Sequence, residues 1–122
     1  MAKFEYKPAN AVMEAYGKKY PIPTKTAVLV DGVADINKRL RECKNTFDVV
    51  KVTKEGIALF IGEEETNRIF SAPDGEIDTD ELSAFWFALN AESNKATNEI
   101  IAKYSPKPAG DIKKPPISLN KK

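Results

Sequence analysis

Histidine is absent from the 122-residue chain, and cysteine occurs once, at Cys43. Without histidine the sequence lacks the usual general base, the usual partner of a Ser or Cys nucleophile and the commonest zinc ligand. A single cysteine excludes an intramolecular disulfide and a Cys-rich metal site, fits a reducing compartment, and is given no role. No apolar run approaches the roughly 18 residues that a membrane span requires. The start, "MAKFEYKPANAVMEAYG", lacks the apolar stretch of a secretory signal, so a cytoplasmic location is expected. There is also no phosphate-binding glycine loop, because "GVADIN" has neither the spacing nor the Lys-Ser/Thr pair.

Charge is plentiful but segregated. Charged residues make up 30% of the chain and apolar ones 42%, with a net charge of only +1, the composition of an ordinary folded protein. Between Glu55 and Glu81 the balance is −8, and from Lys103 onward it is +5. The tail at 106–122 has no aromatic on which a base would stack, and the acidic body repels phosphate, so nucleic acid is not expected as a partner. The length suits one domain, read here as residues 1–105, followed by a flexible Lys/Pro-rich tail at 106–122.

The periodicity predicts a mainly α fold of α+β type, with a short N-terminal β-hairpin and about four helices. "AVMEAYGKKYPIPT" reads as two strands around a turn at Gly17-Lys18, with Pro21 and Pro23 marking an edge. From about 25 to 43, Leu29, Val33, Ile36 and Leu40 form the stripe of an amphipathic helix, with Thr24 or Thr26 as N-cap. Gly32 within it costs about 1 kcal/mol relative to Ala, tolerable where a neighbour packs closely. The stretch 46–61 supports two readings. Its valines favour a β-hairpin, whereas Phe47, Val50, Ile57 and Ile61 recur at helical spacing behind Asn45 or Thr46. "EEETNRIF" makes a short helix after Gly62, its three glutamates placed where the macrodipole favours negative charge. A long helix begins at a capping box of Asp78 and Glu81, carries Leu82, Phe85, Leu89, Ala96, Ile100 and Tyr104 on one face, and stops before Pro106.

Chemistry-bearing clusters are sparse. "DGEIDTDE" alternates acids as a calcium loop does, but Thr79 stands where glycine is needed and Phe85 where a bidentate Glu belongs, so a turn and cap fit better. Glu63, Glu64 and Glu65 point in different directions on a helix and read as a solvated face rather than an acid-base pair. Neither an enzymatic activity nor a cofactor nor a metal is expected. Contact chemistry is better represented. At least one ring of Phe85, Trp86 and Phe87 must leave the main stripe, which makes Trp86 a candidate anchor. Ile57, Phe60 and Ile61 before Gly62, with Ile69 and Phe70 after it, form either a hinged pair of helices that opens for a partner or core packed against Leu82, Phe85 and Leu89.

The segments "GIALFIGEEETNRIF", "DTDELSAFWFALN" and "IIAKYSPKP" resemble the tail assembly chaperones of phages and prophages from Gram-positive hosts, over roughly residues 11 to 108. The resemblance implies a hairpin followed by helices, adds to the helical reading of 46–61, and implies a cytoplasmic, non-enzymatic protein. Such a protein coats the apolar, helical tape measure protein until the tail tube polymerises around it. A protein partner is then expected, the tape measure protein or another tail component, with self-association compatible and no nucleic acid or membrane. The other reading is a small acidic regulatory protein that uses Glu63 to Glu81 to occupy a basic site on a host enzyme; it would lose its partner as salt rises.

Overall fold

Each of the three long helices starts at a side-chain oxygen that accepts an otherwise orphaned backbone N–H. The computed structural model describes residues 3–105, and within it Thr26 caps α1 (Ala27–Glu42), Asn45 caps α2 (Thr46–Ile61) and Asp78 caps α4 (Thr79–Tyr104). Of the two threonines available to α1, Thr26 is the one used. The stretch 46–61 is one continuous helix, so the periodic row outweighs the strand propensity of its valines. The expected tail at 106–122 lies outside the described residues.

Two features of the local reading are corrected. The hairpin pairs β1 (Val12–Ala15) with β2 (Lys18–Pro21) antiparallel, Ala15 opposite Lys18, so its turn residues are Tyr16 and Gly17 rather than Gly17 and Lys18. Both have positive φ, 53° and 77°, as a two-residue turn matching strand twist requires. The capping box is only half formed. Asp78 accepts from the N–H groups of Asp80 and Glu81, but the Glu81 carboxylate accepts from the Tyr16 hydroxyl at 2.6 Å instead. That hydrogen bond fastens the hairpin turn to the start of α4, with the Tyr16 ring 5.9 Å from that of Phe85.

The core is organised on α2. Helices α1, α4 and the short α3 (Glu63–Ile69) all pack on it, whereas α1 and α4 barely touch each other. Trp86 of α4, 3% exposed, lays its ring against Gly56 of α2 and meets Phe60 edge-on at 6.0 Å. A Cβ on Gly56 would sit 2.7 Å from Trp86 Cζ3 and 3.0 Å from Ile36 Cγ2, so the absence of a side chain there lets three helices meet. Gly32 in α1 faces only the methyl groups of Leu59, at 3.1 Å and beyond.

The apolar-to-acidic junction at Gly62 is a sharp corner. Its φ of 92° and ψ of 155° belong to glycine alone, and it ends α2 while starting α3. The first two glutamates of α3 are exposed, but Glu65 accepts hydrogen bonds from Lys18 Nζ at 3.1 Å, Tyr20 Oη at 2.9 Å and the Arg68 guanidinium at 3.0 Å. Arg68 also donates to Tyr20 Oη, at 3.0 Å. Those donors, Arg68 first, then Lys18 and Tyr20, hold the Glu65 carboxyl at about 2. One glutamate of the run therefore clamps α3 to the hairpin.

Substitutions at the two helix glycines, buried Gly56 and partly exposed Gly32, differ in sign. Gly56→Ala should cost about 1 to 3 kcal/mol, because the rigid indole has nowhere to go. Gly32→Ala should be neutral or stabilise by up to about 1 kcal/mol, since the half-exposed Leu59 yields and alanine favours the helix. Equal losses at both sites in denaturant unfolding would contradict this packing. A second prediction follows from Glu65. A carboxyl whose folded value lies below its unfolded one stabilises above pH 4.5, and that contribution is lost as the pH falls from 4.5 toward 2. Glu65→Gln should be less stable than the parent at pH 7, with the difference closing over that window; a pH-independent difference would refute the clamp.

Candidate functional site: an apolar groove between α1 and α4

Because α1 and α4 both lean on α2 without meeting, a slot stays open between them. It has a volume of about 100 Å³, with Leu29, Val30 and Val33 on the α1 wall, Phe60 as floor, and Asn90, Ser93 and Asn94 on the α4 wall. One end is crossed by Lys25 Nζ donating to Asn94 Oδ1 at 3.1 Å. Asn90 spends its amide on the Trp86 carbonyl at 2.9 Å, so the α4 wall offers few free donors. Val30 is 49% exposed on the rim. Phe87, 66% exposed, follows the same side of α4, since seven residues bring a helix back to within about 20° of Asn94.

The residues singled out from the sequence lie mainly beneath this surface. Ile57, Phe60, Phe70 and Trp86 are buried, and Ile61 and Ile69 are partly buried against the same core cluster. Phe70 meets Phe85 edge-on at 5.7 Å. The structure thus places all six in the arrangement of a closed core, and only Phe60 also lines the groove. Of the two helices flanking Gly62, α3 packs on α2 and is tied to the hairpin by the Glu65 and Arg68 hydrogen bonds. Of the three consecutive rings on α4, Phe87 rather than Trp86 is the one that leaves the core.

Val30 was not among the sequence candidates, and Phe87 entered only as one of the three rings from which Trp86 was taken as the anchor. Their signal was a second apolar row: Val30 stands outside the Leu29, Val33, Ile36, Leu40 stripe, as does the still more exposed Val28, and a solvated helix face has no use for either. Further along α4, the segment before β1 crosses the helix. The Tyr104 hydroxyl accepts from the Lys7 N–H at 2.8 Å and donates to the Glu5 carbonyl at 3.1 Å, and the rings of Phe4 and Tyr6 lie 5.5 and 5.8 Å from that of Tyr104. A second cavity of about 110 Å³ lies under this arm, between Pro8, Ile22, Ala96 and Ile100.

The perturbed titrations belong to the clamps, not to the groove. Burial first, and then the hydrogen bond and charge of Glu81, push the Tyr16 phenol up to about 12. Glu65 is lowered by its donors as described, and neither residue lines the groove. What the arrangement offers is shape and apolar surface, suited to receiving a side chain. Among the described residues no helix is long and apolar enough to cross a membrane. Comparisons with protein-family models, with curated proteins and with solved structures return no match for this chain.

Proposed function

We propose that the chain is a non-enzymatic assembly chaperone of phage tails, which binds the long helical tape measure protein and keeps it soluble before the tube polymerises. The observation that carries this reading is the uncovered apolar groove between α1 and α4, and the resemblance of residues 11 to 108 to tail assembly chaperones supplies the client. The groove has room for about one large apolar side chain. It therefore takes a single anchor of an amphipathic helix, and a long client with many such anchors would be covered by many copies. The exposed acids Glu63 and Glu64 would keep the loaded complex charged and dispersed.

The reading as an acidic inhibitor has less support, because several acids it needs are engaged within the chain. Glu65 is held by Arg68 and Lys18, Asp74 accepts from Lys54 at 3.1 Å, and Glu81 is taken by Tyr16.

Co-expression with a tape measure protein tests the proposal. Val30→Glu should abolish client solubilisation while changing stability by no more than about 0.5 kcal/mol, as an exposed substitution does. Phe60→Ala removes the floor and should cost about 3 to 5 kcal/mol, so its binding defect comes with unfolding. Full client solubilisation by Val30→Glu would overturn the groove as the client site.

A further inference from the structure

Helix α4 has a second face that stays exposed among the described residues, touched at Asn94 by Lys25 Nζ. Ala84, Phe87, Ala91, Asn94, Asn98 and Ile101 follow one another at alternating spacings of three and four, the seam of a coiled coil, and all six are exposed. Taking about 100° per residue, this seam lies nearly opposite the buried row of Leu82, Phe85 and Leu89. Asp80, one turn before Ala84, stands in line with this seam, and every charged residue of α4 from Glu81 to Lys103 lies to one side of it, about 70° to 150° from its centre. An ordinary solvated helix face mixes charges; this one has none over five turns. Its apolar positions are Ala84, Phe87, Ala91 and Ile101, and its two asparagines sit where a buried polar residue fixes register in a helix pair.

We propose that this seam pairs with the same seam of a second copy of the chain, the two α4 helices running antiparallel. Charge selects both the partner and the direction. With the two-fold axis midway between Ala84 and Ile101, the charged flanks of the two helices face each other, and Lys95 comes level to within about 3 Å with Glu92 of the other copy, twice by symmetry. The macrodipoles then also oppose each other favourably. A parallel pair would instead set Asp80 of one copy beside Asp80 of the other, and would leave Lys95 facing the uncharged flank of Ser83, Asn90 and Thr97. A long helical client offers no such fixed complement. Asn94 belongs both to the seam and to the α4 wall of the groove, whereas the α1 wall and the Phe60 floor lie outside the seam, and the proposal does not rest on the identity of the client.

Sedimentation equilibrium on the full chain over about 1 to 100 μM tests it. The parent should weigh as a dimer, and Phe87→Glu should raise the dissociation constant at least about tenfold with an unchanged circular dichroism spectrum. Should Phe87→Glu disturb the fold, Ala91→Glu at a neighbouring exposed seam position gives the same reading. Direction is read by disulfide trapping in a Cys43→Ser background. Ala84→Cys and Ile101→Cys chains, mixed and oxidised, should give the mixed disulfide, whereas Ala84→Cys alone should not cross-link, its two thiols lying about 25 Å apart along the axis. A monomer throughout, a dimer that survives both seam substitutions, or an Ala84→Cys self-cross-link would each overturn the proposal.

Discussion

The close approach of Trp86 to Gly56 is the constraint on which the rest of the structure depends. A flat indole can lie directly on a helix backbone only where no side chain intervenes, and Gly56 supplies that place in the middle of α2. Once the ring is seated, Ile36 closes on it from α1 and Phe60 from the same helix, so α1 and α4 are both fixed to α2 at one level. Beyond that level α1 and α4 barely touch, and the groove lies between them. The glycine's cost in helix propensity, about 1 kcal/mol, is offset by the burial of the largest side chain in the protein.

The acidic run after Gly62 has a structural explanation that divides it residue by residue. All three glutamates sit in the first turn of α3, where the helix dipole favours them. Only Glu65 turns toward the hairpin, and its contacts with Lys18, Tyr20 and Arg68 join the chain's first element to its middle. Together with Tyr16 and Glu81, this makes the small two-stranded hairpin a brace across α3 and α4. Two strands alone would be marginal in water; here each end of the hairpin is tied to a helix.

The elements with strong periodic signals were legible in the sequence: α1 through its Leu29 to Leu40 row, and α4 through its cap and apolar face. The helix at 46–61 was legible only against the β-propensity of its valines, which tertiary packing on both sides of α2 overrides. The turn at Tyr16-Gly17 was missed by one residue because a tyrosine at positive φ is rare and carries no sequence mark. The half-used capping box at Asp78 was equally unreadable, because the competitor for Glu81, Tyr16, lies 65 residues away in the chain. Of the two readings that Ile57 to Phe70 allowed, a hinged contact surface or closed core, the structure takes the core. The surface a partner would reach is marked by apolar residues that fall outside a core stripe, Val30 on α1 and Phe87 on α4.

The account holds that a partner meets a closed, rigid body at the α1–α4 groove and that the corner at Gly62 does not open. Native-state hydrogen exchange of the α2 amides, with and without bound client, tests this most directly. The account predicts that the amides from Val52 to Phe60 exchange only through global unfolding, with protection that stays the same or rises on loading. Faster exchange across Ile57 to Ile69 in the loaded state would mean that the helices flanking Gly62 part to admit the client, and would contradict it.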